Sequence, residues 1–220
     1  MAAERSAPLV TQEEEATMRR APTQKRSRKR VEHILACASK LIAERGSDTM
    51  RMSEVAELSG VSIGSLYQYF PDKAAIIRTL AERYNTVSRT CIAEGLANVK
   101  TVSDLRQAFS ALIDEYYEIF LAEPVMRDIW SAMQADSALR EIELAESRKN
   151  AALLAAALNR ALPDEDMEKL QLSALLVMYF GECAMRLAIS TGEAEGRALV
   201  ETYKQMAYRS FSPPDGVSPV

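Results

Sequence analysis

Between Val55 and Lys73 the chain carries two short apolar-periodic segments, a glycine between them and a proline that closes the second. In the first, Val55 and Leu58 share an apolar face, and the small Ala56 lets another helix pass close by. Gly60 can take the left-handed conformation that ends a helix without a Cβ penalty. Val61 then turns back toward a core, and Ser62 is a good cap for a helix beginning at Ile63. The pattern predicts a helix-turn-helix, two helices crossing steeply over a Gly-containing turn.

The second of these helices is unusual. From Ile63 to Tyr69 only Leu66, followed by Phe70, has the spacing to enter a core. Ile63, Gly64, Ser65, Tyr67, Gln68 and Tyr69 are left for the outside. Outward tyrosines serve solubility poorly but suit a helix in a DNA major groove. Its first residues would meet base edges, and the tyrosine hydroxyls would meet phosphates. Lys73 agrees, because a cation in the first turn of the next helix opposes that helix's dipole unless a phosphate sits there.

The run Gly60-Val61-Ser62-Ile63-Gly64-Ser65-Leu66-Tyr67-Gln68-Tyr69-Phe70-Pro71-Asp72-Lys73 resembles the signature of the tetracycline-repressor (TetR) family of bacterial transcription regulators. The likeness extends from about Arg30 to Ile77, and beyond it only a generic helical pattern agrees. The resemblance implies an all-α protein of about nine helices, with a homeodomain-like head at 25–71 and a ligand-binding and dimerisation domain at 72–211. It also implies a homodimer on a palindromic double-stranded DNA operator, with half-sites about 10–10.5 bp apart or a little more. Carried over residue by residue, Ile63, Gly64, Ser65 and Tyr67 are the candidates for base edges and thymine methyls. Ser62, Gln68, Tyr69 and Lys73 would hold phosphates, with Arg51 and Ser53 as further candidates. None of these is an obvious bidentate guanine reader, which leaves the operator sequence open. Family members usually cap the preceding helix with Thr or Ser near residue 51, where Arg51 stands here. Either Asp48 or Thr49 caps a turn earlier, or that helix start is less well satisfied. Arg51 could still reach a phosphate through its guanidinium. Ser47 likewise replaces a usual apolar residue.

The net charge of −4 conceals an asymmetry that supports this reading. Residues 19–83 carry 13 Lys/Arg against 7 Asp/Glu, and residues 84–220 carry 13 against 20. A basic front on an acidic back suits a polyanion-binding head on a body that does not bind. From Arg19 to Arg30 there are seven Lys/Arg and no acid. That run is either a solvated tail or an arm that tracks phosphates or enters a minor groove. Residues 1–24 have no apolar period and read as disordered, as do residues 212–220.

Eight glycines and no sustained alternation of apolar and polar residues fit the all-α class. The helices read as about Ser27–Arg45, Asp72–Glu94, Leu105–Phe120, Val125–Gln134, Leu139–Leu162, Glu165–Ser190 capped by Asp164, and Glu193–Ser210. Cys37, Cys91 and Cys183 are far apart and lack CxxC spacing, so they read as small core residues, with a redox-sensing thiol as the other option. His33 is the only histidine and lies off its helix's apolar stripe, which argues against a metal site. No cofactor is expected. The absence of a secretory h-region makes the cytoplasm the expected compartment.

The helix from Glu165 to Ser190 is apolar nearly all round, interrupted by Glu182 and Arg186, so no unbroken membrane-length span exists. It is either a wholly buried core helix or one side of a four-helix dimer interface with the last helix. The resemblance favours the dimer, for which Leu175, Tyr179, Glu182, Arg186, Tyr203 and Met206 are the candidates. Phe109, Tyr116, Tyr117, Phe120, Met126, Trp130, Met133 and Met178 are either ordinary core or, together, the lining of a pocket for an apolar or aromatic effector. An enzyme is not expected, because no nucleophile–base pair, phosphate-cradling loop or paired-acid motif occurs. The remaining alternative is a helical interaction protein whose basic arm binds RNA or membrane.

Overall fold

The computed structural model describes the backbone of residues 12–135 and 137–211, and the side chains of 26–123, 125–133 and 139–211. Among these residues there are nine α-helices and no strand. They are α1 (Gln12–Arg45), α2 (Met52–Leu58), α3 (Ile63–Tyr69), α4 (Lys73–Leu96), α5 (Val102–Ala122), α6 (Pro124–Ala135), α7 (Ser137–Ala161), α8 (Met167–Ser190) and α9 (Glu193–Arg209). The class is the all-α one that the periodicity predicts.

Local chemistry sets most of the boundaries. The Ser62 hydroxyl accepts from the Ser65 N–H at 3.1 Å, and the Asp72 carboxylate from the Ala75 N–H at 2.7 Å. Thr101 and Asp104 form a reciprocal capping box at the start of α5. Gly60 has φ +63 and Gly46 has φ +84, the two left-handed residues that let α2 and α1 end. Asp166 caps α8 through the Lys169 N–H, so Asp164 is not the cap. A turn closed by Glu165 N–H to Leu162 O shifts the helix start two residues on. α1 begins at Gln12 rather than near Ser27. Of the tail expected to be disordered over residues 1–24, residues 12–24 belong to α1 and residues 1–11 lie outside the described residues, as do residues 212–220.

In the head, Ile34, Leu35, Ala38 and Ile42 of α1, Val55 and Ala56 of α2 and Leu66 of α3 are buried in one core. Leu58 does not join them. It sits in the last turn of α2 and is 42% exposed. α4 enters the same core with Ile76, Ile77 and Leu80, then runs on into the body beside α5, α6 and α7. α7 and α8 pair as a hairpin, and α9 packs on α8 through Tyr203 and Gly196. Leu170, Ala174, Val177, Gly181, Met185 and Ala188 form the buried row of α8, spaced three and four apart on one face. At Gly196 a Cβ would stand 2.5 Å from the Ala188 carbonyl oxygen, so glycine is what allows α9 to approach α8 there.

Candidate functional site

α3 is seven residues long and gripped from one side only. Leu66 is fully buried and Phe70 nearly so, whereas Ile63 is 44% and Tyr67 49% exposed. Gln68, Ser62 and Gly64 are exposed too, and nothing stands within 4 Å of where a Gly64 Cβ would project. Two candidates differ from expectation. Ser65 is half-buried, and Tyr69 packs against the core instead of pointing outward. Tyr69 follows Leu66 by three residues, which brings it round to the same face.

Arg51 and Ser53 are exposed at the start of α2, where Arg51 is the N-cap residue and contributes no side-chain cap bond. Glu54 compensates, accepting from the Arg51 N–H at 3.1 Å while pairing with Arg45 at 2.9 Å. Neither Asp48 nor Thr49 caps a turn earlier, since the Thr49 hydroxyl donates to the Arg45 carbonyl instead. Lys73 also has a structural partner that its sequence position conceals. Its ammonium donates to the carbonyls of Ser47 and Asp48, both at 3.1 Å, which offsets the adverse helix dipole without any phosphate. On the same head, Arg26, Arg28, Lys29 and Arg30 of α1 are exposed.

A cavity of about 360 Å³ opens in the body, walled by α4, α5, α8 and α9, with Met126 of α6 and Leu154 of α7. Of the residues singled out from sequence, Phe109, Tyr116, Met126 and Met178 line it. Tyr117 and Phe120 do not. They lie on the next face of α5 and are buried in the core behind. Trp130 and Met133 line a separate void of about 20 Å³, with the Trp130 ring tilted against Phe120 at 4.3 Å between centroids. The α4 wall, Tyr84, Val87, Ser88, Cys91 and Ile92, escaped the sequence reading because α4 looked only like a connector. The one available signal was Val87 and Cys91, four residues apart on a single face.

Three residues expected at a dimer interface belong to the interior of the subunit. Glu182 and Tyr203 line the cavity. Arg186 pairs with Glu143 at 2.9 Å and lies over the Trp130 ring at 5.6 Å. Polar groups on a helix this apolar are retained where they find partners inside, not at a hydrophobic seam. Burial pushes the Tyr116 and Tyr203 phenols upward, so both stay neutral, and the Tyr203 hydroxyl donates to the Val177 carbonyl at 2.6 Å. Burial, opposed by the Ser147 hydrogen bond and reinforced by Glu143, pushes the Glu182 carboxyl up to about 7. The outer row of α8 is what remains exposed: Leu172, Leu176, Tyr179, Phe180 and Leu187, with Met206 of α9 beside it. By length and composition α8 could cross a membrane. Its inner row is packed on its own subunit, however, which leaves an apolar stripe rather than an apolar cylinder.

Residues 34–80 match the family described as bacterial regulatory proteins, tetR family, and residues 103–214 match the tetracyclin repressor-like C-terminal domain. The chain is 28% identical over 189 residues to the HTH-type transcriptional regulator BetI of Agrobacterium fabrum, covering 83% of this chain and 89% of that protein. Among solved structures it superposes on the regulator SCO7518 of Streptomyces coelicolor with TM-score 0.67 at 20% identity, over 84% of this chain and 99% of that one. The SmeT–triclosan complex gives TM-score 0.65 at 17% identity, over 87% and 98%. The second match alone spans just over half of the sequence. With an outward-facing α3 on a helical head and a cavity-bearing helical body, the chain belongs to the TetR family of bacterial transcriptional regulators.

Proposed function

We infer that this regulator is a repressor that binds a palindromic operator as a homodimer and leaves it when a small, largely apolar molecule enters the body. The observation that carries the reading is the one-sided anchoring of α3: Leu66 is fully buried while Ile63 and Tyr67 are each more than two-fifths exposed. Ile63, Gly64, Ser65 and Tyr67 are the base-reading candidates. Ser62 and Gln68 are assigned to phosphates, with Lys73, Arg51 and Ser53 beside them. The outer row of α8 with Met206, Leu175 and Tyr179 is the dimer seam, since an exposed apolar stripe of this length is stabilised by a twofold copy of itself. The cavity is the effector site, a reading supported by the ligand in the SmeT complex of the same fold. Release requires that the effector favour a state whose two heads are wrongly spaced for DNA, because a ligand shifts only what it binds differentially. The protein acts without turnover, in the cytoplasm where its DNA is.

Footprinting and binding titrations on DNA beside its own gene test the reading. A protected palindrome, lost with Tyr67→Ala and retained when residues 1–29 are removed, supports it. The reverse ranking favours the basic arm as an RNA- or membrane-binding element.

A further inference from the structure

The cavity of the body ends against a partition. Tyr84, Ser88, Tyr116 and Met126 line both the cavity of about 360 Å³ and the void of about 20 Å³, so their side chains form the wall between the two. The void reaches back along α4 to Ala81, whereas the cavity extends forward along the same helix to Leu96. The void therefore lies on the side of the chamber nearer the head, and its far wall is α6, with Ile129, Trp130 and Met133. The partition is not equally firm throughout. Tyr116 is pinned edge-on by Phe120 and Trp130, at 4.9 and 5.8 Å between ring centroids. Met126 is an unbranched thioether with three rotatable bonds, and it borders empty space on both sides. A void this small deprives its lining of dispersion contacts, which any group that enters it regains. Turning Met126 aside therefore costs little and joins the two volumes.

We propose that Met126 sets the length of effector that the body accepts: short ligands stop at the partition, and longer ones displace the thioether and reach the Trp130 wall of α6. This rests on the reading of the cavity as the effector site and adds the dimension of its occupant. At about 360 Å³ the chamber is near the lower end of the roughly 300–1,000 Å³ usual for small-molecule sites. A longer apolar chain must gain room inside or leave its end in water. The mouth offers no apolar shelter, because Glu115 and Glu123 stand exposed there with Val87. The polar end of an amphipathic ligand stays hydrated at that mouth while its apolar end presses inward on Met126.

Trp130 is the only tryptophan of the chain, so its emission reads the far wall alone. The full-length protein is titrated with 6-bromohexanol, 8-bromooctanol, 10-bromodecanol and 12-bromododecanol, whose terminal bromine quenches indole fluorescence on contact. Calorimetry sets the occupancy at which they are compared. The expected result is that the shorter bound probes leave Trp130 emission unchanged and the longer ones quench it. Met126→Ala should move the onset of quenching to a shorter probe. Met126→Leu, which keeps the volume but is branched and stiffer, should move it to a longer one and is the variant tolerated best by the core. If every bound probe quenches alike, or none does, the proposal is overturned while the effector cavity stands. An onset unchanged in a folded Met126 variant overturns the assignment to Met126. Should no probe bind, the cavity reading falls and the proposal with it. The chain-length series is read on the unmodified protein, so it decides whether a partition exists even if a variant does not fold.

Discussion

Asp128 of α6 accepts a 2.5 Å hydrogen bond from the backbone N–H of Ser47, in the loop between α1 and α2. The same loop is held from the other side by Lys73 of α4 through the Ser47 and Asp48 carbonyls. Met126, two residues before Asp128, lines the cavity of the body. A shift of α6 at the cavity is therefore mechanically joined to the head. Asp128→Ala should cost about 1–3 kcal/mol in urea unfolding, since it removes a charged acceptor from a partly buried N–H. It should also weaken the effect of a ligand bound in the body cavity on operator affinity. An effector response equal to that of the unmodified protein would show that Asp128 only stabilises the fold.

Tyr67→Ala and Leu66→Ala separate reading from folding on adjacent residues. Tyr67 is half exposed, so its loss should leave stability within about 0.5 kcal/mol while lowering operator affinity roughly tenfold or more. Leu66 is fully buried, and its truncation should cost about 2–5 kcal/mol in stability. Parallel denaturation and operator titrations distinguish them. A Tyr67 variant with normal operator affinity removes that residue from the reading face.

Lys73→Ala has two possible readouts because of its two loop carbonyls. Loss of that clamp should lower stability by about 1–3 kcal/mol. If Lys73 also meets a phosphate, affinity falls equally on every DNA sequence and the salt dependence flattens by roughly one unit of slope. An unchanged slope assigns Lys73 to the clamp alone.

Phe180→Glu introduces a charge into the exposed apolar row of α8, where Phe180 is 55% exposed in the single subunit. Sedimentation should then report a monomer, with operator affinity reduced because the two heads no longer bind as one unit. A variant that sediments as a dimer would falsify this seam.

The Glu182 carboxyl, at about 7 in the folded protein against an ordinary 4.5, makes a pH-dependent contribution with a definite sign. The folded state holds this proton more tightly than the unfolded chain does. The penalty is thus absent below the unfolded value, grows as pH rises from 4.5 to about 7, and is complete above that. Glu182→Gln should therefore gain stability relative to the unmodified protein from pH 5 to 8, by at most about 2–3 kcal/mol. Unfolding midpoints across that range check it, and a constant difference would contradict the linkage.

The sequence by itself determined the helix-turn-helix, because Gly60, Ser62, Leu66 and Pro71 act within one or two turns and each has a local reason for its place. It also exposed the two-sided apolar character of α8, since periodicity is a property of a single helix. Only the tertiary structure decided which polar residues of α8 face inward. Glu182 and Arg186 look like interruptions in a seam until α7 supplies Ser147 and Glu143 as their partners. The same holds for the α4 wall of the cavity and for Lys73, whose carbonyl partners lie 25 and 26 residues away in the chain. Local backbone preferences are written in adjacent residues, whereas partners brought together by packing are not.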